Sequence, residues 1–168
     1  MKAKFRIPSL LIILIILVTS CAQDDDGIFL NERNEAIISY TELEFEILRL
    51  VNDHRESIGI RKLNTLNTIS SEAIPHTNYM LSQGEASHDN FEDRFLNLRM
   101  NADAVKVSEN VAYGYSTAQA VVNAWLRSPR HKEIIENIEF TDFGISIKAN
   151  VDGKNYFTHI FIKRETNN

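Results

Sequence analysis

The chain has 168 residues, 43% of them hydrophobic, with five His, one Cys and a formal net charge of −5. That length suits one domain with a core of its own, and the acidic balance argues against nucleic acid or anionic lipid as a main partner. A single Cys excludes an internal disulfide, so the fold must stand on its core.

Residues 1–20 carry Lys2, Lys4 and Arg6, followed by the unbroken aliphatic run Leu10–Val18. This is a positive start and an apolar stretch too short to span a membrane as a permanent helix, as in a signal peptide. The run ends Val18-Thr19-Ser20-Cys21, which resembles the lipobox of bacterial lipoproteins, where the Cys is acylated and becomes the new N-terminus. The resemblance implies a membrane partner through Cys21 and a place in the bacterial cell envelope, at the outer membrane or cell surface. Cys21, spent on the anchor, leaves no thiol for catalysis. Cleavage removes three positive charges and no negative ones, taking the formal charge from −5 to −8. Residues 21–36, with Asp24-Asp25-Asp26, read as a solvated acidic tether, and 37–168 as the domain.

Leu43, Ile47, Leu50, Val51 and His54 recur at helical spacing and predict a helix over Glu42–Ser57, ended by Gly59. A second helix is expected from about Thr68 to Gln83, with Ile69, Ala73, His76 and Met80 along one side and Gly84 past its end. His54 and His76 on these faces are expected to be hydrogen-bonded core or boundary residues. Ser87-His88-Asp89-Asn90 is loop chemistry, where side chains reach into clefts. A short amphipathic segment with Phe91, Phe95 and Leu98 follows.

Val105, Val107, Glu109, Val111 and Tyr113 alternate, so a strand with one apolar face is predicted. Glu109 falls on that face, where a carboxylate is costly to bury without a partner. With a cation or metal beside it the group stays ionised, and alone its pKa rises. Ser116-Thr117-Ala118-Gln119 has the spacing of a capping box and opens a helix with Val121, Val122, Trp125 and Leu126 on its apolar side. Pro129 stops it, and Ser128-Pro129 suits the start of another, with His131 in its first turn and therefore tending to be neutral. A hairpin closes the chain. Its first strand shows Phe143, Ile145, Ile147 and Ala149 on one face, its turn holds Asp152-Gly153, and its second strand runs from Tyr156 to Ile162, apolar on both faces and therefore central. The sum predicts an α+β fold with helices on both faces of a small, mainly antiparallel sheet.

Ser87-His88-Asp89, Ser108-Glu109-Asn110-Val111-Ala112, Ala124-Trp125, Ser128-Pro129-Arg130-His131 and Phe140-Thr141-Asp142-Phe143-Gly144-Ile145 occur in that order. The set resembles the CAP superfamily of cysteine-rich secretory, antigen 5 and pathogenesis-related proteins, in its short bacterial branch, over roughly residues 44–163. The resemblance implies a three-layer α-β-α sandwich with a central cleft lined by two His and two acids. By motif these are His88, Glu109 and His131. The second acid of animal and plant members falls at Ser128, so the fourth corner is missing or supplied elsewhere, with Asp89 a candidate. Ser108 replaces the usual Gly, and His159 stands where many bacterial members have Gln.

Two neutral imidazoles and a carboxylate can hold Zn²⁺, with water completing the shell. His88, His131 and, as a third ligand, Glu109 are the candidates, and the same three are the candidate catalytic groups. No HExxH or GxSxG motif is present. Two functions stay open. One is a non-enzymatic binding module, monomeric and lipid-anchored, whose cleft, with Asp89, Asn110, Tyr113, Ser128 and His159, grips a peptide, glycan or lipid. The other is a metal-assisted hydrolase acting on peptide or cell-envelope material. An aromatic rim of Tyr113, Tyr115, Trp125 and Phe157 would serve the first, although Trp125 reads more naturally as core.

Overall fold

The computed structural model describes residues 37–165. The segment 1–20 expected to be a signal peptide, Cys21 and the tether expected at 21–36 lie outside the described residues. Within the described residues, five helices and four strands follow one another as α1 (Glu42–Ser57), β1 (Asn64–Thr65), α2 (Asn67–Gln83), α3 (Phe91–Ala102), β2 (Ala104–Tyr113), α4 (Ala118–Arg127), α5 (Pro129–Glu136), β3 (Asp142–Ala149) and β4 (Asn155–Arg164). The sheet order is β1-β3-β4-β2. β4 pairs antiparallel with β2 and β3, and the two-residue β1 joins β3 in parallel. β4 is therefore central, as its two apolar faces require, and β2 lies at an edge.

Alternation along β4 sorts the core into two layers. Phe157 and Phe161 pack with Ile47 and Val51 of α1, Val121 and Trp125 of α4, and Ile135 of α5. Ile160 and Ile162 point the other way, onto Ile69 and Ala73 of α2 and Leu98 of α3. The result is the α-β-α sandwich expected from the sequence. Gly144 sets how closely α2 approaches. A Cβ there would come within 2.5 Å of the Ser70 backbone nitrogen, and α2 settles close enough for Ser70 Oγ to accept the Ile145 N–H at 3.0 Å.

Local chemistry explains most boundaries. Thr41 and Glu44 form a reciprocal capping box at α1, and Gly84 ends α2 at φ +79°. Two details differ from expectation. At α4 the cap is Thr117, whose hydroxyl accepts the Ala120 N–H at 3.2 Å, while Gln119 bonds Asn123 on its own helix. In β2 the register shifts between Ala104 and Lys106, a bulge that breaks the alternation. Val105 is consequently exposed, and the inward row is Val107, Glu109 and Val111.

Candidate functional site

His88, Phe91, Val107, Ser108, Glu109, Ser128, Arg130, His131 and Ile134 line an open cleft of about 580 Å³. It lies along the outer edge of β2. The start of α3 and the loop before it form one wall, and the start of α5 forms the other. His88, Glu109, His131 and Ser128, remote in sequence, are thus brought together.

Glu109 is buried, at 4% exposure, and its carboxylate is fully engaged. Arg94 Nε donates to Oε2 at 2.8 Å, an Arg94 terminal nitrogen donates to Oε1 at 2.9 Å, and His88 Nδ1 lies 2.9 Å from Oε1. The Arg94 pair is bidentate, the strong form of this contact. Burial alone would raise the Glu109 carboxyl, but the hydrogen bonds from His88 and Arg94 and the Arg94 charge together hold it below the usual carboxylate range. An ionised carboxylate can only accept, so His88 Nδ1 carries its proton toward Glu109. His88 Nε2 is left without a partner among the described residues.

Two members of this network were not anticipated. Arg94 also donates to the Asp89 carbonyl at 2.7 Å, tying α3 to the loop that carries His88. His76 is buried on α2, donates Nε2–H to the Ser87 carbonyl at 2.8 Å, and lies 3.8 Å from Glu109 Oε1. Burial first, then the Arg94 and His88 charges, push the His76 pKa down against the opposing pull of Glu109. A signal for Arg94 was present in the sequence. It sits three residues after Phe91 and four before Leu98, on the apolar stripe of its helix, where a charge needs a partner.

On the other wall Ser128 and Pro129 start α5, and two tethers hold that helix. Asn110 on β2 donates to the His131 carbonyl at 3.1 Å. Arg55, fully buried in α1, donates to the carbonyls of Ile135 and Asn137 at the far end of α5. The His131 pKa is lowered by burial and then by the His88 and Arg130 charges, so its imidazole is neutral at neutral pH. His54 is a boundary residue as expected, with Nε2 2.8 Å from Glu136 on α5.

Several expectations are corrected. His159 does not reach the cleft. It is fully buried between Phe143, Trp125 and Phe161, with neither ring nitrogen partnered among the described residues, and burial pushes its pKa down to about 3. It alternates with the side chains of β4 that face α2, so it belongs to the opposite core layer. The Asp89 carboxylate accepts from Tyr79 at 2.9 Å, away from the lining residues, and does not supply a fourth corner. Asn110 is completely buried and braces α5 from beneath the cleft. Tyr113 packs on Tyr156 at the far end of β2. Trp125 and Phe157 are core, and the cleft's aromatic residue is Phe91.

The donor set also limits what a metal could use. Among the described residues no group of three or more His, Cys, Asp or Glu is arranged to hold one, and both Glu109 oxygens are committed to Arg94 and His88. Two ring nitrogens remain as candidate donors. His88 Nε2 has its tautomer set by a carboxylate on Nδ1, the arrangement that supports metal-bound imidazoles, and His131 offers a neutral ring.

The family described as the cysteine-rich secretory protein family, CAP, matches residues 48–161. Over 127 residues the chain is 30% identical to the uncharacterized membrane protein YlbC of Bacillus subtilis, covering 74% of this chain and 35% of YlbC, about a third of that relative's length. An outer surface protein from Borrelia burgdorferi superposes with a TM-score of 0.68 at 23% identity, over 76% of this chain and 97% of that one. An extracellular protein with an SCP domain from Bacillus anthracis gives a TM-score of 0.61 at 26% identity, over 73% of this chain and 40% of that one. No helix among the described residues is long and apolar enough to cross a membrane.

Proposed function

Since the chain belongs to the CAP family of cysteine-rich secretory proteins, we propose that it is an extracytoplasmic binding module, anchored to the bacterial envelope by a lipid on Cys21, whose cleft holds a peptide, glycan or lipid without turning it over. The observation that carries this reading is the state of Glu109. It is the one carboxylate lining the cleft among the described residues, and both its oxygens accept from Arg94 and His88. A general base must be free to take a proton and works best with a pKa near the working pH. Glu109 has a lowered pKa and almost no exposure, so it serves as a positioning group for His88.

Metal-assisted hydrolysis is the second reading, favoured by the Glu109 contact that leaves His88 Nε2 available. Zn²⁺ held by His88 and His131 would supply Lewis acidity and a more acidic water. In that case Glu109 would orient His88 from outside the coordination sphere and hold its Nδ1 proton.

The test is turnover of casein and of purified cell-wall fragments by the full chain, with and without added zinc, for wild type and Glu109→Gln. Absence of turnover by wild type, together with cleft-dependent binding of envelope fragments lost in His88→Ala, is expected. A zinc-dependent rate that falls roughly 10²–10⁴-fold in Glu109→Gln, the usual worth of acid–base catalysis, would overturn the binding reading. For the anchor, Cys21→Ser is expected to leave the membrane fraction. A mutant that stays with membranes after processing refutes lipidation.

A further inference from the structure

Within the reading of the cleft as a binding site, the geometry points to its occupant: we infer that the cleft takes an extended peptide carrying an acidic side chain, which adds as a fifth strand to the open edge of β2.

The backbone of β2 supplies the first argument. Gly114, just past its end, donates its N–H to the Asn155 carbonyl at 2.8 Å. In an antiparallel ladder, hydrogen-bonded pairs alternate. With Asn110 opposite His159 and Ala112 opposite Phe157, the even-numbered residues of β2 bond to β4, and Val107, Glu109 and Val111 turn their N–H and C=O groups outward. Two contacts agree with this phase. The Val111 carbonyl accepts the Trp125 indole N–H at 3.1 Å from the outer side. On β4 the Ile162 carbonyl, which alternation turns away from β2, accepts the Thr141 N–H from the β3 side. Trp125 therefore closes the edge at Val111. At Val107 and Glu109 no partner reaches the outward groups among the described residues, and these two residues line the cleft.

Four backbone groups without a partner lie side by side at the floor of the cleft, on residues only 9% and 4% exposed, and such unpaired groups are a template for another strand. This edge is recessed between α3 and α5, so a folded sheet edge is hindered and a single extended chain fits. About 580 Å³ lies within the usual range for a binding cleft, and Phe91, Val107 and Ile134 offer apolar contact for alternate side chains.

Charge supplies the second argument. Among the lining residues Arg130 is the one fixed cation, and the single acid, Glu109, has its charge already matched by buried Arg94. Arg130 is exposed and has no carboxylate partner among the described residues. The cleft is therefore cationic on balance, within a chain of net charge −5. An Asp or Glu side chain of the peptide beside Arg130 completes the pairing, and a basic segment is disfavoured.

The test uses the full chain in detergent and three fluorescein-labelled pentapeptides, read by anisotropy. These are Thr-Val-Glu-Val-Thr, its Lys-for-Glu counterpart, and the Glu peptide with alternate backbone nitrogens methylated. The Glu peptide is expected to bind in the micromolar to millimolar range, the Lys peptide at least tenfold more weakly, and the methylated peptide not measurably. Val107→Pro removes an outward N–H without touching the β2–β4 ladder, as Pro is tolerated only on such an edge, and is expected to weaken binding at least fivefold. Arg130→Gln, on an exposed helix end, reports the charge contact independently of any strain the proline brings, with about a threefold to tenfold loss expected. Equal binding of the methylated peptide, or no binding of the Glu peptide, overturns strand addition. Inorganic phosphate and phosphatidylglycerol vesicles separate this failure from that of the broader reading. Binding of either one, lost in Arg130→Gln, while the Glu peptide fails, leaves a ligand cleft without strand addition. Failure of all probes overturns both.

Discussion

Arg94→Met isolates the interaction on which the site rests. The substitution keeps an unbranched chain over Phe91 and removes three donated hydrogen bonds, two to Glu109 and one to the Asp89 carbonyl. The side chains of Arg94 and Glu109 are only 6% and 1% exposed, so solvent offers little compensation. Breaking a buried ion pair by deleting one partner costs about 3–5 kcal/mol, because the other charge is stranded. Stability at pH 7 is expected to fall by about that much in urea unfolding. Pairing with Glu109→Gln completes a double-mutant cycle, in which the double mutant should recover about 2–3 kcal/mol relative to the sum of the single losses. The pH dependence carries its own sign. In wild type the Glu109 pKa is lowered in the fold, so its contribution is present above the unfolded carboxylate value and is lost as pH falls through the folded one. In Arg94→Met the same carboxyl loses its cation and its pKa rises, so the mutant's deficit should shrink between pH 7 and pH 4 as Glu109 takes a proton. A loss under 1 kcal/mol at pH 7, or a cycle coupling near zero, would refute the claim that Arg94 holds Glu109 ionised.

Three further outcomes are expected. Gly144→Ala places a methyl 2.5–2.8 Å from Ser70 and Ile69, so α2 must lift from β3; a loss of roughly 2–3 kcal/mol should appear in thermal melts, and an unchanged melting temperature would contradict the close approach. His159 is neutral in the fold with a pKa of about 3, while the unfolded chain protonates it near 6.5. Stability should therefore decline as pH falls below that value, by about 2 kcal/mol between pH 7 and pH 5, and His159→Leu should flatten this part of the profile; an identical slope in the mutant would show that His159 is not the titrating group. Zinc titrated calorimetrically should bind wild type, fail with His88→Ala or His131→Ala, and bind Glu109→Gln about 10–100-fold more weakly if Glu109 acts only by orienting His88; unchanged affinity in His88→Ala would end the metal reading.

Local signals in this chain were strong enough to act alone. Helix periodicity, caps and glycine stops placed α1 at Glu42–Ser57 and brought α2 within one residue of its start, because these depend on neighbours three and four positions away. The two apolar faces of β4 declared a central strand because they are read from alternation between residues two positions apart. Glu109 on a row of valines announced a buried charge in want of a partner, but not which partner. That choice needed α2 and α3 packed on one face of the sheet, which brings Arg94 within 2.8 Å and His76 within 3.8 Å of a carboxylate far from them in the chain. The face on which His159 is buried was undecided in the same way. Alternation along β4 separates Phe157, His159 and Phe161 from Ile160 and Ile162, yet both rows are apolar, and only the helices docked on each decide which one borders the cleft. The bulge after Ala104 and the open outer edge of β2 are tertiary too. Both are set by the partner strand and by where that partner is absent, and a single segment of sequence carries no record of its neighbour.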